Sequence, residues 1–232
     1  MGKSKELAEL GQVVTQSGGN VGIGTASPNS DLHITSDGPT INLHSDTGNY
    51  AQLGFTNSGG TSVQGFIKYV HDGDYAGSMQ FRVSGSERMR IDTAGRVTMP
   101  HQPAFYAYPS VGNWVNSINV LAFGTGGFWD ANYNPSLYRF TAPVTGKYLL
   151  SSGILISGVG SHTWLRINGN LITNFGHTGA SNANEYNYQT ASVVYSLSAG
   201  DFVDVWQQAA YTSGSGIYMG GSYSYFSGYL IG

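Results

Sequence analysis

The sequence contains no cysteine, few charged residues and no long apolar run. Without cysteine, the chain has no disulfides, no thiolate zinc site and no cysteine nucleophile. No apolar stretch approaches the roughly 18 residues of a membrane-spanning helix. The first ten residues lack the apolar core of a secretory signal peptide. We therefore expect neither a signal peptide nor insertion into a membrane.

Charged residues make up only 10% of the chain, against roughly 25% in an ordinary domain. The formal net charge of −3 gives no basic surface, so nucleic acid is not an expected partner. A surface with little charge is prone to association. The composition therefore favours a closed oligomer or attachment to a large particle.

The usual catalytic motifs are also absent. The sequence has no nucleophile elbow, phosphate-binding loop or zinc-protease motif. Ser161-His162 follows a glycine and is interpreted as a loop. Asp72-Gly73-Asp74 places two carboxylates around a glycine but lacks the rest of a calcium loop. The prediction is a protein that is not an enzyme and needs no cofactor, with bound calcium left open.

Residues 128–150 form the most informative stretch. Tyr138, Phe140 and Ala142 alternate with more polar residues, which is the period of a half-buried strand. Residues 143–146, Pro-Val-Thr-Gly, are typical of a turn. A second apolar strand follows, so the stretch predicts strand, turn and strand.

This stretch resembles the signature of the C1q-like domain, a trimeric jelly roll related to the tumour necrosis factor fold. The signature positions are Phe128, Asp130, Tyr138, Phe140, Pro143, Gly146 and Tyr148. Residues 165–169, 197–205 and 226–230 resemble later pieces of the same family, in the same order. The resemblance implies a C1q-like head over residues 101–232. It places the structural core at Phe128, Tyr138, Phe140, Gly146, Tyr148, Phe226 and Leu230.

The head segment is rich in short alternating strands. It holds all four tryptophans of the chain and few charged residues. Regular short strands separated by glycine turns favour a sandwich or jelly roll. The predicted strands are 104–108, 115–123, 138–141, 147–156, 163–167, 189–196, 202–208, 216–219 and 222–230.

Residues 19–100 form a glycine-rich segment with β patterning. Short alternating runs at 40–43, 52–55, 65–69 and 78–83 are separated by turn residues. Each run supplies only a narrow apolar stripe, which is too little to close a core within one chain. We therefore predict an intertwined β shaft in which three chains pack around one axis.

The two ends of this segment carry a second resemblance. Residues 20–28 read Asn-Val-Gly-Ile-Gly-Thr-Ala-Ser-Pro, and residues 87–97 begin Glu-Arg-Met-Arg-Ile-Asp. Both look like modules of bacteriophage tail fibres and related appendage proteins. The resemblance implies a virion location, on a tail or a capsid.

Residues 1–18 are predicted to be a docking segment. Leu7, Leu10, Val13 and Val14 recur at helical spacing after Ser4, a possible helix cap. A helix over residues 1–17 would form a short three-helix seam or dock the fibre on other virion proteins; as the second interpretation, it would be a frayed terminus. Both interpretations stay open at this point.

Two polar loops at 176–187 and 211–216 combine tyrosine with Gly, Ser and Asn, as binding loops do. Aromatic faces also stack on the C–H groups of sugar rings, which suits a glycan receptor. The candidate receptor contacts are Asn184, Tyr186, Asn187, Tyr188, Tyr211 and Ser213. For any one tyrosine, a place in a subunit interface is an equal alternative.

The sequence thus predicts an all-β, homotrimeric virion fibre. Its head is expected to bind a bacterial surface receptor, a glycan or a protein, and so to mediate host adhesion. One alternative is a structural head fibre or decoration protein of a virion. Another is a bacterial C1q-like adhesin or lectin outside any virus. A depolymerase is a further alternative with no residue constellation in its favour.

Overall fold

The computed structural model describes residues 14–45, 50–57, 63–71, 77–110, 112–115, 118–124, 126–157, 162–177, 186–208, 216–221 and 223–232. None of these residues is helical, which confirms the all-β prediction for the described part. The chain divides into two compact units, Met1–Met99 and Pro100–Gly232.

The first unit begins with a small sheet of β1 (Val14–Ser17), β2 (Asn20–Ile23) and β3 (Leu32–Ile34). β1 and β2 form an antiparallel hairpin. Gly18 and Gly19, with φ of +62° and +92°, make its tight turn. The helix predicted over residues 1–17 is therefore wrong for Val14–Ser17. The turn and the β-branched pair Val14-Thr15 outweigh the helical spacing of apolar residues there.

The rest of this unit is a five-stranded antiparallel meander. Its strands are β4 (Tyr50–Thr56), β5 (Val63–His71), β6 (Gly77–Val83), β7 (Ser86–Ile91) and β8 (Val97–Thr98). The strand predicted at 40–43 does not form, and Ile41 and Leu43 are exposed.

One face of the meander is largely apolar. Its register aligns three rows of side chains across the strands. The rows are Leu53-Ile67-Phe81-Met89, Ala51-Tyr69-Met79-Ile91-Val97 and Phe55-Gly65-Val83. Leu53, Phe55, Val83 and Val97 are 52–55% exposed. No hydrophobic side chain among the described residues of this unit belongs to the buried core. Within one chain, this face is uncovered.

The second unit is a sandwich of two sheets. Its strands are β9 (Ala104–Tyr108), β10 (Asn113–Val115), β11 (Asn119–Val120), β12 (Gly126–Trp129), β13 (Tyr133–Asn134), β14 (Arg139–Thr141), β15 (Gly146–Ser157), β16 (His162–Ile167), β17 (Asn170–His177), β18 (Tyr186–Leu197), β19 (Phe202–Gln207), β20 (Gly216–Met219) and β21 (Tyr225–Leu230). One sheet has seven strands in the order β10-β20-β15-β21-β9-β12, with β18 also paired to β15. The other has six strands in the order β13-β14-β19-β16-β17, with β11 also paired to β19.

The core lies between these sheets and centres on Phe105. The Phe105 ring lies 4.8–4.9 Å from the rings of Phe140, Tyr133 and Phe226. Phe105 and Phe226 come from the seven-stranded sheet, whereas Phe140 and Tyr133 come from the six-stranded sheet. Buried aromatic pairs therefore join the two layers, and each adds roughly 0.5–1.5 kcal/mol beyond the burial of area.

The residues predicted as core take different places. Phe140, Tyr148 and Phe226 are fully buried, and Leu230 packs against the core edge. Gly146 lies close to Leu230, since an added Cβ would be 2.7 Å from its side chain.

Two of those predictions are wrong. Phe128 is 63% exposed, because its register partner is Tyr106, on the outer face, while the adjacent Trp129 turns inward. Tyr138 lies outside the core. It is the last residue before β14 and has a positive φ of 55°. The strand predicted over 115–123 is also wrong, since β10 and β11 join different sheets.

Candidate functional site

The outer face of the seven-stranded sheet is lined with aromatic side chains. Strand alternation turns every second residue away from the core. The outward residues define a surface that we call the aromatic face: Tyr106, Tyr108, Trp114, Phe128, Tyr186, Tyr188, Tyr218, Tyr225 and Tyr229. Among the described residues of this face, Lys147 carries the only charge.

The aromatic side chains contact one another across the strands. The Tyr106 ring lies 5.5–6.0 Å from the rings of Tyr108, Phe128 and Tyr225. At the other end of the face, Trp114 stacks on Tyr186 at 5.9 Å. A depression of about 300 Å³ lies beside the Tyr106 and Phe128 rings. It is lined by Ala104, Phe105, Tyr106, Phe128, Leu149, Ser151, Ser227, Gly228 and Tyr229.

Tyr188 and Tyr225 cover the middle of β15. An added Cβ at Gly153 would be 2.3 Å from the Tyr225 ring and 2.5 Å from the Tyr188 hydroxyl. The glycine thus lets both rings lie close to the sheet. Burial, followed by the charge of nearby tyrosines, raises the pKa of both Tyr106 and Tyr188.

The raised pKa values predict a loss of stability at alkaline pH. The folded phenols hold their protons more tightly than unfolded ones, whose ordinary pKa is 10.0. Their stabilising contribution is therefore complete below that pH and is lost as pH rises through the folded pKa values. Denaturant unfolding across this range measures the effect. Tyr188→Phe should reduce the loss, and an unchanged alkaline profile in that variant would contradict this account.

A second aromatic surface lies on the outer face of the six-stranded sheet. We call Trp164, Arg166, Asp204 and Trp206 the tryptophan platform. Trp164 faces Trp206 across β16 and β19, and Arg166 faces Asp204 beside them. Arg166 donates two hydrogen bonds to Asp204, from Nε to Oδ1 at 2.7 Å and from Nη2 to Oδ2 at 2.8 Å. The guanidinium carbon also lies 3.9 Å from the Trp206 ring centroid.

A similar cation–aromatic contact lies nearby on β14 and β19. The Arg139 guanidinium carbon is 4.4 Å from the Phe202 ring centroid. Beyond Trp164, its register partner Asn174 approaches His162, with Asn174 Nδ2 and His162 Nδ1 3.4 Å apart. The platform is thus flanked by polar and cationic groups on two sides.

The Asp201 carboxylate stabilises the turn before β19. Asn168 Nδ2 and the Ser198 backbone N–H both donate to the Asp201 carboxylate at 2.8 Å. These hydrogen bonds lower the pKa of Asp201, and the hydrogen bond from Asn168 has the largest effect. Asp201 therefore holds two loops together, which is a structural role.

The sequence-predicted receptor contacts fall into two groups. Tyr186, Asn187 and Tyr188 belong to strand β18 rather than to a loop. Tyr186 and Tyr188 lie on the aromatic face, whereas Asn187 has the opposite orientation. Asn184, Tyr211 and Ser213 lie outside the described residues. The same holds for the docking candidates Leu7, Leu10 and Val13, whereas Val14 lies in β1.

Neither a metal cluster nor a membrane-spanning helix occurs in the described part of the chain. No group of three or more His, Asp or Glu side chains is positioned there to hold an ion. Asp72-Gly73-Asp74 lies outside the described residues. No helix long and apolar enough to cross a bilayer occurs within those same ranges.

Comparison with known families identifies the head. The C1q domain model matches residues 105–231. The chain belongs to the C1q domain family. This C1q domain has the jelly-roll fold shared with tumour necrosis factor. Such domains commonly form homotrimers and generally act as ligand-binding modules rather than enzymes.

Several solved structures are similar to the C1q domain, with low sequence identity. The globular domain of zebrafish complement 1qA protein is 18% identical, with a TM-score of 0.47 over 57% of this chain and 98% of that one. Murine APRIL is 16% identical, with a TM-score of 0.43 over 56% and 99%. Eiger TNF from S. frugiperda is 13% identical, with a TM-score of 0.42 over 56% and 93%. Among curated proteins, no sequence matches this chain.

Sequence reasoning missed the tryptophan platform. A usable signal was present, because residues 164–166 and 204–206 both read as strands with tryptophan and a charged residue two positions apart. Side chains two apart share a face of a strand. Only the pairing of β16 with β19 brings the two sets together.

Proposed function

We propose that this chain is the subunit of a homotrimeric virion fibre, most specifically a phage tail fibre. Its C1q head would bind a bacterial surface glycan and so attach the particle to its host. The proposal includes no catalytic activity. The observation that carries it is the aromatic face, a broad apolar surface that a single chain leaves uncovered.

The aromatic face has the composition of a subunit interface. Its side chains are aromatic, and Tyr186 and Phe128 are 69% and 63% exposed. Aromatic enrichment and depletion of charge mark the centre of protein interfaces. Contiguous apolar patches of this kind signal an interaction surface on a folded protein. We assign the face to contact with further copies of this chain, since the family commonly forms homotrimers.

The meander of the first unit supports the same assembly. Its apolar face includes Leu53, Ile67, Phe81 and Met89 in one continuous row. A sheet with no buried hydrophobic side chain of its own gains little stability from folding alone. Equivalent faces from three chains would bury one another around a common axis. This gives the proposed shaft its core.

The particle and the target follow from sequence resemblance. Residues 19–100 resemble phage fibre modules, which favours a virion location. Residues 1–18, with Leu7, Leu10, Val13 and Val14, remain the proposed docking segment toward other virion proteins. Asn184, Asn187, Tyr211 and Ser213 remain proposed receptor contacts. Tyr186 and Tyr188 are instead assigned to the subunit interface, because both lie on the aromatic face.

The proposed mechanism of adhesion is avidity. Three identical weak sites on a rigid head convert the second and third binding events into intramolecular ones. Effective concentrations in the millimolar range raise overall affinity by roughly 10²–10⁴ without new contacts. Weak saccharide recognition at each site is then sufficient for attachment to a cell surface.

An array of purified bacterial capsular polysaccharides and lipopolysaccharides tests this proposal. The full chain should bind at least one polysaccharide. A monomeric variant should bind it at least about a hundredfold more weakly. Equal binding by trimer and monomer would contradict the avidity mechanism. A trimer that binds no polysaccharide would contradict glycan adhesion and favour a structural fibre or decoration protein.

A further inference from the structure

The outer face of the six-stranded sheet holds an aromatic surface that the proposed assembly leaves free. Subunit contact through the aromatic face uses the opposite sheet of the sandwich. The tryptophan platform, with Trp164 and Trp206, therefore points away from that contact. Both tryptophans are partly exposed, whereas other aromatic side chains of the head, such as Phe105 and Phe226, are fully buried.

We propose that the tryptophan platform binds a pyranose saccharide, with the sugar ring packed against Trp164 and against the part of Trp206 that the Arg166 guanidinium leaves exposed. The inference rests on the proposed adhesive function and names the surface through which the head contacts its glycan. Indole rings provide wide flat faces for sugar C–H groups, and their burial against a ligand contributes favourable area. Trp164 and Trp206 are neighbours across two paired strands, so one ligand can contact both.

The platform is held rigid before any ligand arrives. The two hydrogen bonds between Arg166 and Asp204 fix the guanidinium plane, which in turn lies over the Trp206 ring. Asp204 is only 3% exposed, so this pair is anchored in the sheet rather than in solvent. Groups fixed in advance lose little conformational entropy on binding, which favours weak ligands such as sugars.

Polar groups flank the stacking surface as saccharide recognition requires. Arg166 uses Nε and Nη2 for Asp204, which leaves Nη1 as a donor beside the indoles. Asn174, the register partner of Trp164, supplies an amide with both a donor and an acceptor. Sugar hydroxyls also both donate and accept, so these groups match them in kind.

The Trp164 indole adds an unsatisfied donor. Its Nε1 is shielded from solvent and has no hydrogen-bond partner among the described residues. A buried donor without an acceptor costs roughly 1–3 kcal/mol. A ligand hydroxyl that reached this nitrogen after a small ring rotation would supply the missing acceptor.

The test compares variants of the full chain on the polysaccharide array and in titrations with the corresponding monosaccharides. Trp206→Ala and Trp164→Ala should each lower monosaccharide affinity at least tenfold, while Trp206→Phe should retain most of it. Tyr223→Ala is the matched control, since Tyr223 is an exposed aromatic residue outside the tryptophan platform, beside Tyr218 of the aromatic face. Sedimentation mass shows whether each variant keeps the assembly of the wild type.

The outcomes separate this inference from the proposed function. If the wild type binds a saccharide and both alanine variants bind it equally well, the platform is overturned and glycan adhesion stands. If the wild type binds no saccharide, the platform and glycan adhesion are both overturned. Selective loss in the tryptophan variants, with Tyr223→Ala unchanged, supports the platform.

Discussion

Phe128→Asp is expected to break the trimer contact of the head and raise its dissociation constant at least about a hundredfold. Phe128 is 63% exposed, and within the described ranges its ring contacts that of Tyr106 alone. The aspartate is therefore solvated in a free chain, and the fold is kept. In the trimer each copy would bury a carboxylate without a partner, which costs several kcal/mol.

Size-exclusion chromatography with light scattering, over a range of concentrations, measures this effect. Val144→Asp is the control, because Val144 is also exposed but lies in the turn before β15, outside the aromatic face. The control should keep the wild-type dissociation constant. Equal behaviour of the two variants would show that the aromatic face is not the subunit contact.

Arg166→Ala should lower the free energy of unfolding of the head by about 3–5 kcal/mol. The substitution leaves Asp204, which is 3% exposed, as a buried charge without its cation. It also removes the guanidinium that covers Trp206. Chemical denaturation, followed by tryptophan fluorescence, measures the change.

The double variant Arg166→Met with Asp204→Leu is the matched control for this effect. It removes both charges and fills similar volume, so its stability should lie close to that of the wild type. If Arg166→Ala lowered the free energy of unfolding by less than about 1 kcal/mol, the Arg166–Asp204 pair would behave like an ion pair exposed on the surface. Equal losses in the single and double variants would contradict the role of the unpaired carboxylate.

Local sequence patterns predicted many strands of the head. Alternation alone gave β9 at Ala104–Tyr108 and β20 at Gly216–Met219 with the observed bounds. Both are short, bounded by turn residues and regular in their period. The jelly-roll fold came from resemblance, because the order of strands in a sheet depends on pairings distant in the sequence.

The errors have two physical causes. Which side of a strand faces the core depends on its register with a distant partner, and a shift of one residue exchanges the two sides. The pairing of β12 with β9 thus turned Phe128 outward and Trp129 inward. For Val14–Ser17, a glycine turn made hairpin pairing more favourable than a helix.

The candidate sites depended even more on distant pairing. Tyr186 and Tyr188 were predicted from composition as loop residues, yet β18 pairs along the whole of β15 and places them on a sheet. Trp164 and Trp206 are 42 residues apart in sequence and become neighbours only through β16 and β19. Composition identified the type of residue that recognises sugars, whereas the fold determined where such residues meet.

Sedimentation equilibrium of the wild-type chain tests the central claim most directly. That claim is that the aromatic face and the apolar face of the meander are buried between copies of this chain. We expect a single species with three times the mass of the 24.7 kDa chain, unchanged across micromolar concentrations. A mass near that of a single chain at the same concentrations would contradict it.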